Sequence, residues 1–136
     1  MEKTEFLTQF DKVVKDGNYG HRKREDVQEL IRQHMLALGQ PDMPIGFQEL
    51  FISIEELAEL IQATTKALRG KKDEVNLIEE LADVNLVLSC IETVVDIDHN
   101  DVEIATEVKI RKLENLLAKA REQGLGMHDR PEREML

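Results

Sequence analysis

Cysteine occurs once in the 136 residues, at Cys90, so the chain can form no internal disulfide and no thiolate cluster able to hold zinc. Nothing in that content asks for an oxidising compartment. Proline and glycine are also sparse, at three and seven residues, and they gather at Gly17 and Gly20, between Gly39 and Gly46, at Gly70, and from Gly124 to Pro131. No segment reaches the roughly 18 uninterrupted apolar residues of a membrane span, and the opening Met-Glu-Lys-Thr-Glu is not an apolar leader. A soluble, unprocessed, cytoplasmic protein without a membrane partner is expected. Positive charge is in deficit: 18 Lys and Arg against 28 Asp and Glu leave a formal net charge of -10. A field of that sign repels phosphate backbones, which argues against a nucleic-acid partner.

What is present is helical periodicity. Apolar residues recur at helical spacing at Phe6, Phe10, Val13 and Val14; at Val27, Leu30, Ile31 and Leu38; and at Phe47, Leu50, Ile54, Leu57, Ile61 and Leu68. A fourth segment runs from about Asp73 to Asp98. A fifth runs from about Asn100, placed as an N-cap with Glu103 as its partner, to about Gln123. No stretch alternates as a strand does. The expected fold is all-α, a bundle of about five helices in a single domain over residues 1–123, followed by a mobile tail over 124–136. From Val84 to Ile97 the fourth segment is apolar on nearly every side, the mark of a buried helix, and covering it in so small a domain calls for a homodimer, with a tetramer as the larger possibility.

Two matching acidic clusters carry the chemistry: Glu55-Glu56-Leu57-Ala58-Glu59 on the third helix and Glu79-Glu80-Leu81-Ala82-Asp83 on the fourth. Within each, an i, i+3 pair puts two carboxylates on one helix face. The short Arg69-Gly70-Lys71-Lys72 connection, with Gly70 placed as a C-cap, folds the helices back as a central antiparallel hairpin, and counting the rise from the loop leaves the pairs about one turn apart in height. Glu80 and Asp83 share a helical face with Val87, Ile91 and Val94. Carboxylates on an apolar face are penalised unless paired, protonated or bound to a cation. Four oxygen ligands, Glu56, Glu59, Glu80 and Asp83, without histidine or thiolate select a hard ion, Mg²⁺ first and Mn²⁺ as its substitute.

These residues also resemble a family signature. Glu55-Glu56-x-x-Glu59, a spacer of nineteen residues, then Glu79-Glu80-x-x-Asp83 looks like the two-part motif of the MazG-like all-α nucleoside triphosphate pyrophosphohydrolases, and the likeness extends from Phe47 to Arg121 through Lys112-Leu113-Glu114-Asn115. The resemblance implies hydrolysis of a ribo- or deoxyribonucleoside triphosphate between the α and β phosphates, for clearance or control of nucleotide pools. It implies Glu56, Glu59, Glu80 and Asp83 as metal ligands, Glu55 as a further ligand or the base that orients water, and Glu79 in the outer shell. Lys109, Arg111 and above all Lys112 are the expected positive groups for the leaving pyrophosphate. Asn85, expected to be buried, is a second-shell group or a base reader.

Other readings compete. A di-iron or di-manganese carboxylate bundle wants Glu-x-x-His on two helices, and here the i+3 partners are Glu59 and Asp83. A non-catalytic metal- or nucleotide-binding regulatory protein would keep the fold and lack turnover. Phe6, Phe10, Tyr19, Phe47 and Phe51 are available to stack a base, although aromatics at helical spacing more often belong to a core. His21, His34, His99 and His128 lack metal-ligand spacing and receive no role.

Overall fold

In a computed structural model of the chain, residues 2–37 and 46–124 are described. Among them are five helices and no strand: α1 (Lys3–Asp16), α2 (Arg24–Ala37), α3 (Phe47–Leu68), α4 (Glu74–Val94) and α5 (His99–Glu122). The turn read around Pro41 and Pro44 and the tail beyond Gly124 lie outside the described residues. The chain divides into two compact units, Met1–Val95 with the first four helices and Asp96–Leu136 with α5. Each is described by itself.

Local chemistry sets the helix ends. α3 stops because Gly70 takes a left-handed φ of 76°, which lets Lys71 N–H donate back to Lys66 C=O at 2.9 Å and closes the last turn. Three residues on, Asp73 caps α4 by accepting the Asn76 N–H at 3.2 Å. That hydrogen bond is the main reason the Asp73 carboxyl lies below its ordinary value, with nearby Lys3 helping. α4 ends at Val94, short of the Asp98 suggested by its apolar run, and Asp96 then turns with a left-handed φ of 55°. α5 is capped by Asp98, whose Oδ1 accepts the Asn100 N–H at 2.9 Å, and not by Asn100 itself. Asn100 lies inside the first turn because the acceptor two residues earlier takes its N–H.

In the first unit α3 packs on α4 more extensively than any other pair of helices, and α2 and α1 also pack on α4. Only part of the apolar pattern that marks α3 as a helix is turned inward, with Leu50 and Leu57 half-buried. Phe47, Phe51, Ile54, Ile61 and Leu68 are exposed, Ile61 at 67%. The buried side of α3 carries Glu49, Ser53, Ala63 and Ala67, with Glu56 half-buried among them. On α4 the buried positions are Glu80, Val87, Ser89 and Glu92. Two turns of carboxylate and hydroxyl thus occupy the seam where a bundle ordinarily places leucine, and Ile31, Ala63, Ala67 and Val87 are the buried apolar residues among those described.

α2 is tied to its neighbours by polar contacts near both ends. Arg24 Nη2 donates to buried Glu92 on α4, while His34 Nδ1 stands 3.3 Å from buried Glu49 on α3. Between them Ile31 supplies the buried apolar contact of α2.

Gly46 starts α3 with φ 93°, and a Cβ added there would meet Val94 Cγ1 at 2.8 Å. Gly17 has φ 64° with nothing within 4 Å of such a Cβ. Gly17→Ala is therefore expected to cost only the left-handed penalty of about 1–2 kcal/mol, and Gly46→Ala distinctly more. Denaturant midpoints of the two variants check this, and equal midpoints would refute the close packing at Val94.

Candidate functional site

The packing of α3 on α4 brings the two acidic clusters together. One carboxylate oxygen from each of Glu56, Glu59, Glu80 and Asp83 lies within 4.8 Å of the others. Asp83 stands beside Glu56 and Glu59 beside Glu80, each close enough for its charge to disfavour ionisation of its neighbour. These contacts pair an earlier α3 residue with a later α4 residue, so the helices meet in opposite chain directions. The offset of one turn counted from the loop disappears in this pairing.

Burial grades the four acids. Glu80 is 8% exposed, Glu56 and Asp83 are half-buried, and Glu59 is exposed. Glu56 Oε2 and Glu80 Oε2 are buried without a hydrogen-bond donor. Loss of water is the largest influence on both carboxyls, and the charges of Asp83, Glu59 and Glu80 add to it on Glu56, which is raised from 4.5 to about 7. Glu80 is raised by its burial first, then by Glu59 and Asp83. A set of acceptor oxygens that outnumbers its protons, two of them orphaned, has the composition of a site for a hard cation, which four-oxygen carboxylate sets bind without nitrogen or sulfur. The residues fit a divalent ion, and the acidic cluster could hold one.

The remaining residues singled out in the sequence are placed as follows. Glu55 is exposed beside Glu56, and Glu79 is half-buried beside Glu80. Asn85 is exposed, in contrast to the buried position expected from the apolar run around it. It turns away from the α3-facing side because that face is defined by Glu80, Asp83 and Val87, and a residue two positions before Val87 lies across the helix. Lys109, Arg111 and Lys112 are exposed on α5 in the second unit, where Arg111 Nε donates to Glu107 at 2.9 Å, an ordinary i, i+4 surface pair. Phe6, Phe10 and Tyr19 belong to no core: with Val13 and Val14 they line an apolar depression of about 480 Å³ along α1.

Sequence reasoning passed over Glu49 and His34. Glu49 is 5% exposed, Cys90 faces it from α4, and burial with the charge of Glu49 pushes the Cys90 thiol above its ordinary value. The signal was available: Glu49 precedes Glu56 by seven residues, two turns on one helical face.

Compared with models of protein families, with curated proteins and with solved structures, the chain matches none. The functional reading therefore rests on the acids and on the helices that carry them.

Because Glu56 and Glu80 hold protons in the folded state that the unfolded chain would release, unfolding sheds protons as pH rises from 4.5 toward 7 for Glu56. The metal-free protein is therefore expected to lose stability as pH climbs through that window. A divalent ion takes the place of the protons, so it should restore stability most strongly at the upper end. Thermal melts in chelator and in Mg²⁺ across this range test the point. A chelated protein that gains stability with rising pH there would show the acids are not crowded. Glu80→Gln is expected to raise the chelated midpoint by about 4 °C, ~1 kcal/mol in a chain this size, and to abolish the gain from metal.

Proposed function

We propose that this chain is a Mg²⁺-dependent nucleoside triphosphate pyrophosphohydrolase, with Mn²⁺ as a substitute ion, that cleaves between the α and β phosphates to give a monophosphate and pyrophosphate. The observation that carries the reading is the convergence of Glu56, Glu59, Glu80 and Asp83 within 4.8 Å, with buried Glu56 and Glu80 oxygens lacking donors. Mono- or divalent charge alone would satisfy a lone carboxylate pair. Four carboxylates need the higher charge density of a divalent ion, and a triphosphate needs the same ion to approach a chain of net charge -10. The resemblance to MazG-like enzymes supplies the bond cleaved.

In this reading α3 and α4 form a central hairpin that presents the acids. The bound ion would supply a water of lowered pKa and a Lewis acid for the phosphates. Glu56, Glu59, Glu80 and Asp83 hold it from two helices, so its position is fixed by helix packing and not by a loop. Glu55, exposed next to the ligands, is free to orient the attacking water or to add an outer ligand. Glu79 supports Glu80 from the adjacent position. Lys109, Arg111 and Lys112 are assigned to the leaving pyrophosphate on the resemblance alone, and Asn85, being exposed, is left to substrate contact and not to a buried second shell.

The same reading includes a homodimer. On α3, Phe47, Phe51, Ile54, Ala58, Ile61, Thr65 and Leu68 recur at alternating spacings of four and three residues, on the side opposite the acids, and their large apolar members are exposed. Covering such a seam with its copy on a second chain would bury five large apolar side chains from each partner. At ~1 kcal/mol for each half-exposed side chain the gain is of order 10 kcal/mol, comparable with the cost of association.

Two experiments test these statements. Incubating a panel of ribo- and deoxyribonucleoside triphosphates with Mg²⁺ or chelator, and separating the products, is expected to give monophosphate and pyrophosphate only with metal. Glu80→Gln and Asp83→Asn should lower turnover by at least about a thousandfold, ~4 kcal/mol of barrier, with helix content unchanged. Diphosphate with inorganic phosphate would assign the wrong bond; intact nucleotides would leave only a metal-binding or regulatory protein. Sedimentation velocity is expected to give a dimer that Ile54→Glu with Ile61→Glu converts to monomer, whereas a monomeric parent chain would remove the proposed seam.

A further inference from the structure

Glu49 is the buried charge that the metal site leaves unexplained. It projects from the same face of α3 as Glu56, two turns nearer the N-terminus of the helix, a separation of ~10 Å. Ser53, 2% exposed, lies between them on that face, its hydroxyl committed to the Glu49 carbonyl at 2.7 Å. From α4, Cys90 comes opposite Glu49 as Asp83 comes opposite Glu56. Glu49 is 5% exposed, and its Oε1 is buried without a hydrogen bond. His34 Nδ1 stands 3.3 Å from that oxygen, an ion-pair distance, but off the direction of a hydrogen bond. The carboxylate therefore has a neighbouring cationic or polar ring and an acceptor that no donor fills. A buried acceptor in this condition forfeits a charge-assisted hydrogen bond until a donor arrives.

The His34 side chain beside Glu49 is 60% exposed and sits on the last turns of α2, and exposed side chains change rotamer on the ps–ns scale. Cys90 faces Glu49 from α4.

Resting on the pyrophosphohydrolase reading, we propose that Glu49 is the specificity-determining residue of that site and selects nucleobases bearing an exocyclic amino group. Two turns of helix match the span from the α phosphate of a nucleotide to the pairing edge of its base, so a phosphate held at the four acids puts that edge at Glu49. Cytosine offers its 4-amino group to a carboxylate, adenine its 6-amino group, and guanine its 2-amino group together with the adjacent ring N–H. Uracil, thymine and hypoxanthine place carbonyl oxygens or a bare carbon where the amino group would stand. A carbonyl facing a carboxylate is repelled. His34, displaced but adjacent, is positioned to donate to the neighbouring acceptor on the same edge.

A purely structural role would look different. If Glu49 serves only to pin α2 through His34, its removal lowers stability and turnover for every nucleotide alike and leaves their ratios unchanged. The test is therefore a ratio: kcat/KM for CTP against UTP, and for ATP and GTP against ITP, measured on the full chain with Mg²⁺, for the parent protein and for Glu49→Gln and Glu49→Leu. Because each ratio is read on one preparation, a partly unfolded fraction cancels. The parent chain is expected to prefer the amino-bearing member of at least one pair by about tenfold to a hundredfold, the worth of one charge-assisted hydrogen bond. Both variants are expected to bring that ratio close to one while still hydrolysing the keto-bearing nucleotide. A parent chain that cleaves both members of every pair equally overturns the assignment and leaves the pyrophosphohydrolase reading intact, as does a preference that survives both variants. If Glu49→Leu does not fold, Glu49→Gln, which keeps the shape of the side chain, carries the comparison. If no nucleotide is cleaved, the reading of the reaction falls and this inference falls with it.

Discussion

Four carboxylates pressed together between two helices repel one another, and that repulsion is the constraint from which the rest of the first unit follows. In water each would keep its charge and its hydration. Between α3 and α4, Glu56 and Glu80 lose part of that hydration, and each feels the others' charge, so Glu56 binds a proton up to about 7. The folded chain can relieve the repulsion in two ways. It can take up protons, or it can take up a cation. The first fails as pH rises past neutrality; the second does not, because a cation could be held by the acids in their charged form.

The seam that accommodates these charges cannot also be an apolar core. α3 turns Glu49, Ser53 and Glu56 inward and sends Phe47, Phe51, Ile54, Ile61 and Leu68 outward. α4, with apolar residues on every side, buries Val87 while Leu81, Leu86 and Leu88 remain exposed. Polar contacts take over part of the work that leucines do in other bundles, with Arg24 on Glu92 and His34 beside Glu49 tying α2 to its neighbours. The apolar surface displaced from the interior is a resource for association, and the heptad spacing of the α3 stripe is what a partner helix would read.

The helices and the acids were legible in the sequence because both depend on local spacing. Apolar periodicity located the first three helices, an apolar run the fourth and a capping pattern the fifth, and two i, i+3 acid pairs separated by a glycine-capped turn identified four residues that the fold brings within reach of one ion. What spacing did not reveal was direction. The periodic apolar residues of α3 establish a helix but not which side meets α4, and the side was decided by the small and acidic residues instead. Asn85 failed for the same reason: a polar residue in an apolar run can face outward when the run itself is exposed. Asn100 was misread as a cap because Asp98, two residues earlier, takes that place by accepting the Asn100 N–H. Glu49 went unnoticed and His34 received no role because their contact joins α2 to α3, a meeting of segments that no local pattern encodes.

Direct observation of the ion bears hardest on this account. Titrating Mn²⁺ into the full chain and following free Mn²⁺ by its electron paramagnetic resonance signal counts bound ions without any assumption about substrate. Above pH 7 the parent chain is expected to remove Mn²⁺ from solution, to release it to excess Mg²⁺, and to bind it more weakly as pH falls and Glu56 and Glu80 take up protons. Asp83→Asn with Glu80→Gln should leave the signal at its protein-free intensity. A parent chain that leaves all Mn²⁺ free, or a double variant that binds as well as the parent, would contradict the claim that these four carboxylates form a metal centre.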